Sequence, residues 1–150
     1  MPMTRAGIFL IGFLFFFLQA GAADSSQLYV QVIRGSDQDR PSGTNYRAVG
    51  PKLSAKLSPV FRWKHYWETE RQKVQLNSAK TTKVALANHR SLEIERLKSG
   101  ELEVRLFRRS GLVTKTRQAS NERMAILGGE EEGKESFFVV VRPDEPVTVE

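Results

Sequence analysis

Two short stretches hold residues whose types and spacing invite chemistry. In "GGEEEGKE", Gly128, Gly133 and Lys134 have the spacing of a G-x-x-x-x-G-K phosphate-binding loop. Such a loop follows a strand, opens a helix and places Ser or Thr after the lysine, with backbone amides aimed at the anion. Here Glu135 stands in the Ser/Thr position, and Glu130, Glu131 and Glu132 would bring three carboxylates towards a polyphosphate. The following "ESFFVVVRP" reads as a strand, so the glycines are expected at turn positions of a hairpin from Gly128 to Lys134, and no nucleotide is expected.

In "RWKHYW", a strand would put Trp63, His65 and Trp67 on one face and Arg62, Lys64 and Tyr66 on the other. An exposed Trp63-His65-Trp67 face can stack sugar rings or bases, and with the basic body of the chain this makes Trp63, Tyr66, Trp67, Arg62 and Lys64 the candidate ligand-binding residues. The competing expectation is that the tryptophans are core or core-edge material, since each can bury about 150–250 Å². Catalytic sets are scarce. His65 and His89 are too far apart for an H-E-x-x-H zinc motif, and Glu68 and Glu93 follow them at helical intervals within segments that read as strands. Ser91 near His89 does not make a triad. Neither a catalytic residue, a metal site nor a cofactor is assigned, and the chain reads as a non-enzyme. His89, beside Asn88, is expected on an exposed turn.

The elements that must position these residues begin after a leader. "MPMTRAGIFLIGFLFFFLQAGAADSS" has a basic residue, an apolar run and an Ala-x-Ala site, the layout of a signal peptide over residues 1–22. An uncleaved membrane anchor from Ala6 to Ala23 is the rival reading. The remaining length supports a single domain, taken as 27–143, with 144–150 as a flexible acidic tail. The absence of cysteine removes disulfides, thiol nucleophiles and Cys-based zinc sites. With no Asn-x-Ser/Thr site either, the chain reads as a bacterial periplasmic or secreted protein.

"QLYVQVIRG" and "ESFFVVVRP" are apolar on both faces, as strands inside a sheet are. "SLEIERL" and "ELEVRLF", joined at Lys98-Ser99-Gly100, alternate like a hairpin with one wet face. "TTKVAL", "LVTKTRQ" and "RMAIL" supply further strands. Leu53, Leu57 and Val60 give one short helix, expected to end between Lys56 and Ser58 because Pro59 follows. The sum is a mainly β (α+β) domain: an antiparallel β-sandwich or open barrel with one short helix.

Charge is uneven. Residues 51–123 hold 17 Lys or Arg against 7 Asp or Glu, whereas 130–150 hold 7 acidic against 2 basic residues. A basic body can bind acidic glycans or anionic surfaces; the plainer expectation is that these charges are the solvated half of alternating strands. Nucleic acid is not expected as a partner outside the cytoplasm, and a protein at the envelope is the expected one. The order of leader, strand, Leu-spaced helix, "FRWKHYW", "KVALANHRSLEIE" and "AILGGEEEGKESFFVVVRP" resembles small exported bacterial β-rich proteins of uncharacterised function. That resemblance supports the fold and location and assigns no site.

Overall fold

The strand-forming segments assemble into two antiparallel sheets. The structure, a computed structural model, describes residues 26–77 and 79–149; the leader assigned to residues 1–22 lies outside them. In chain order the elements are β1 (Ser26–Ser36), β2 (Arg47–Val49), α1 (Pro51–Phe61), β3 (His65–Leu76), β4 (Thr82–Leu86), β5 (Arg90–Arg96), β6 (Leu102–Arg108), β7 (Gly111–Gln118), β8 (Ala125–Glu132), β9 (Glu135–Arg142) and β10 (Thr148–Val149). One sheet runs β10-β2-β3-β1-β9-β8 and the other β4-β5-β6-β7, with β7 and β8 unpaired to each other. The fold is therefore a sandwich and not a closed barrel. Among the described residues, no helix is long and apolar enough to cross a membrane.

The doubly apolar strands have a physical explanation in a third layer. Leu28, Val30 and Val32 of β1 and Phe137, Val139 and Val141 of β9 point between the sheets, against Leu92, Ile94, Val104 and Leu106. Their alternates Ile33, Phe138 and Val140 point the other way, where Leu53 and Leu57 of α1 cover them. A strand covered on both faces must be apolar on both. The β5–β6 hairpin, covered once, alternates instead, and Gly100 takes φ +88° at its turn.

Three segments differ from expectation. The helix does not stop before Ser58: it continues through Pro59 to Phe61. Proline removes only its own amide donor, while the Phe61 ring lies 4.3 Å from that of Phe138 and anchors the last turn to the sheet. Arg62 then closes the helix in the left-handed conformation, its N–H donating to the Ser58 carbonyl. The second difference is in the 144–150 segment, where β10 pairs Thr148 with Val49 and Val149 with Ala48. Third, the hairpin is present but its turn is narrower than Gly128 to Lys134. Strand pairing persists to Glu132↔Glu135, leaving Gly133 (φ +66°) and Lys134 as the loop.

Candidate functional site

The two sequence stretches are placed as follows. Lys134 leads into strand β9 and not into a helix, so the amide cradle of a phosphate loop does not form. Gly128 lies within β8 at φ +135°, and the register shift between Gly128 and Glu130 makes Gly129 an extra residue in the ladder. The aromatic residues do not form the expected single face. Arg62 is left-handed and exposed, and β3 begins only at His65, so Trp63 turns under the helix. There it covers Gly35 and donates its backbone N–H to the Tyr66 hydroxyl at 3.2 Å. Tyr66, expected on the face of Arg62 and Lys64, is buried against Ile33 and Phe138. Trp67 stacks on His65, with ring centroids 5.4 Å apart, on the opposite side of the sheet. Lys64 is exposed, and its backbone N–H donates to Asp37.

The histidines are equally separate. His65 lies 3.5 Å from Asp39 in the six-stranded sheet's β3 region. His89, exposed as expected, shares the β4–β5 turn with Asn88, both at positive φ, and the Arg109 guanidinium approaches its ring at 3.3 Å. Ser91 lies in the β5 ladder opposite Phe107.

Much of the basic surface is neutralised locally. On the outer face of the four-stranded sheet, Arg105 meets Glu93, Glu95 and Glu103 at 3.3, 3.2 and 3.1 Å; Lys83 meets Glu93, and Arg117 meets Glu103 at 3.0 Å. A hydrogen bond from Arg117 holds the Glu103 carboxyl below its usual range, aided by the charges of Arg117, Arg105 and Lys115 and opposed by burial. Three cations and three carboxylates cancel in this ladder.

The sheet edges are poor templates for an added strand. Side chains of β3 occupy the free edge of β4: Gln72 Nε2 donates to the Ala85 carbonyl at 2.6 Å, and Glu70 Oε2 accepts from the Ala87 N–H at 3.1 Å. Edge strand β7 has a register shift that leaves Val113 outside the pairing, and it displays Lys115 and Arg117. Edge strand β8 has its own shift at Gly129, and β10 is only two residues long. Bulges, charges and shortness are the features that discourage edge pairing.

Unlike the ladder, the cleft beside α1 keeps a surplus of positive charge. Leu53 and Leu57 turn one face of α1 into the core, which leaves Lys52 and Lys56, one turn apart, on its flank. Opposite stands the β7–β8 loop. Gln118 Nε2 donates to the Glu122 carbonyl, and the Glu122 N–H to the Ala119 carbonyl, a turn that projects Arg123. Arg142 and Asp144 close the end of an open space of about 930 Å³ with Ala55 and Met124 in its lining. Arg142 is 5% exposed and donates through Nε to Asp144 Oδ1, with Nη2 bonded to Oδ2. Its hydrogen bond and charge, Asp144's own backbone N–H and the charge of Lys52 hold the Asp144 carboxyl below its usual range, against burial. The Arg142 charge is thus answered within the protein. Lys56 and Arg123 form no ion pair with any described residue.

Sequence reasoning missed this cleft because its members come from three segments, residues 52–56, 121–124 and 142–144. The Lys52/Lys56 interval was the one local signal.

Fold and cleft together define a helix-backed antiparallel β-sandwich with a charged groove beside its helix. Comparison with protein-family models, curated proteins and solved structures gives no match for the chain.

Proposed function

We propose that this chain is an exported, non-catalytic β-domain that acts through protein contacts at the cell envelope, and that the contact is made in the cleft between α1 and the β7–β8 loop. The observation that carries this reading is the surplus charge of that cleft, where Lys52, Lys56, Arg123 and Arg142 outnumber the carboxylates of Glu122 and Asp144, and where Lys56 and Arg123 form no ion pair with any described residue. The ladder on the four-stranded sheet spends its charges internally, and the edge strands are blocked against strand addition, which favours the cleft over either of those surfaces as a partner's site. Export rests on the leader pattern of residues 1–22.

The rival reading, a module for acidic glycans or anionic surfaces, draws on the same cations. Its aromatic component is weakened by the burial of Tyr66 and by Trp63 packing over Gly35. The test is a photo-crosslinking residue placed at Arg123, at Lys56, or at Lys83 in the neutral ladder, in full-length protein within an intact envelope fraction. A discrete protein adduct from the cleft positions, competed by excess unmodified protein and missing from Lys83, supports the reading. No adduct at the cleft, or equal labelling from Lys83, refutes it.

A further inference from the structure

We infer that the cleft receives an acidic, extended peptide segment with an apolar side chain between its carboxylates. The inference rests on the protein-contact reading and adds the chemistry of the occupant. Lys52 and Lys56 line one wall and Arg123 the other, across a floor that includes Ala55 and Met124. Charge complementarity requires an anionic occupant, and an extended chain that alternates acidic and apolar residues turns its carboxylates to one side, towards the rim cations, and its apolar side chains to the other, towards the floor.

The floor selects among anions. Met124 is half-buried against the Ile33 and Phe138 cluster while still lining the cleft, and a thioether adapts to an inserted aliphatic side chain. Among the described residues no aromatic ring lines the cleft to stack a sugar, which disfavours an acidic oligosaccharide. The exposed side chain of Asn121 offers both a donor and an acceptor to a peptide backbone. A flat membrane surface would reach the rim cations but not this floor.

The experiment is direct binding of a fluorescein-labelled hexapeptide of alternating glutamate and leucine, measured by anisotropy at low and physiological salt. Three comparison probes are used: a glutamate-only hexapeptide, a sulfated hexasaccharide and phosphatidylglycerol vesicles. The alternating peptide should bind best and weaken as salt rises, because surface attraction is screened beyond about 8 Å at physiological ionic strength. The double reversal Lys56→Glu/Arg123→Glu should weaken it by about tenfold or more, whereas Lys83→Glu should change it by less than about twofold. Both cleft residues are exposed, so the variant is expected to fold, and circular dichroism checks this. Tighter binding of the sugar or the vesicles, equal binding of the glutamate-only peptide, or equal loss in Lys83→Glu overturns the inference. Loss of all peptide binding while the cleft crosslink persists overturns the occupant and leaves the contact reading intact; loss of both overturns both.

Discussion

Replacing Gly128 with alanine should be among the most damaging single-methyl additions to the domain, although the residue is exposed on an edge strand. A Cβ there would lie 2.3 Å from the Phe137 carbonyl oxygen and 2.8 Å from the Phe138 Cα, both backbone atoms of the neighbouring strand. Neither can swing aside as a side chain can. The backbone also sits at φ +135°, where a side chain is strained whatever space surrounds it. Strain of this kind costs about 1–3 kcal/mol. Forcing an atom into occupied space costs about another 1–3 kcal/mol, so the sum is roughly 2–6 kcal/mol. At roughly 3–5 °C of Tm per kcal/mol for a domain of this size, the melting temperature should drop by about 6 °C at the least. Gly133→Ala isolates the backbone component, since Gly133 has φ +66° and nothing within 4 Å of its would-be Cβ. It should cost about 1–2 kcal/mol. Lys134→Ala in the same turn should change stability by less than about 0.5 kcal/mol. Urea unfolding followed by tryptophan fluorescence, with thermal melts in parallel, gives all three values. If Gly128→Ala is no worse than Gly133→Ala, the close approach of β9 to Gly128 is wrong, and with it the bulge that explains "GGEEEGKE".

Phe61→Ala should destabilise the domain by about 1–3 kcal/mol, discounted from a fully buried phenylalanine because Phe61 is half-buried, and should reduce helical circular dichroism as the last turn of α1 loosens; an unchanged urea midpoint would show that Phe138 does not anchor the helix. The double change Glu70→Ala/Gln72→Ala strips the side chains from the β4 edge, so concentration-dependent self-association should appear in analytical ultracentrifugation, and a strictly monomeric variant with a monomeric parent would refute the edge-blocking role. Acid should weaken the fold through Glu103 and Asp144, whose carboxyls titrate lower folded than unfolded: their stabilisation is complete above the unfolded pKa and disappears as pH falls through the folded one. Glu103→Gln and Asp144→Asn should each flatten the loss of urea stability below the ordinary carboxylate range, and an unaltered slope in both would contradict the Arg117 and Arg142 pairings.

Where a strand faces the core in strict alternation, the sequence was enough to read it. Leu92, Ile94, Leu102, Val104 and Leu106 all enter the inter-sheet core as their period of two requires. The runs around Ile33 and Phe138 announced strands covered on both sides, although what covers the second side had to come from the position of α1. Alternation misled at "RWKHYW" because it assumes an unbroken strand. The left-handed Arg62 re-aims the chain before β3 starts, and a bulge at Thr69 changes the facing again: Val32 pairs with Glu70 but Ile33 with Glu68. The phase of a strand is local knowledge that a single αL residue or bulge resets. The cleft was hidden for another reason. No local pattern in the sequence joins Lys56 to Arg123 and Arg142, because the link between them is tertiary.

The neighbours of β1 also set an order of events in time. Its antiparallel partner β3 is complete by about the middle of the chain, but its other neighbour is β9: Tyr29 lies opposite Arg142, and Ser36 opposite Glu135. As the polypeptide is synthesised, the strand that completes the middle of the large sheet is nearly the last to emerge. Until then one edge of β1, with Val30, Val32 and Ile33 on its two faces, has no native partner. Pairings so distant in sequence make folding slow, since the loop between them must close before any contact rewards it. A long-lived open intermediate is prone to aggregation and calls for a chaperone. Were the chain exported, as we propose, the same delay would keep it threadable through a membrane before it folds.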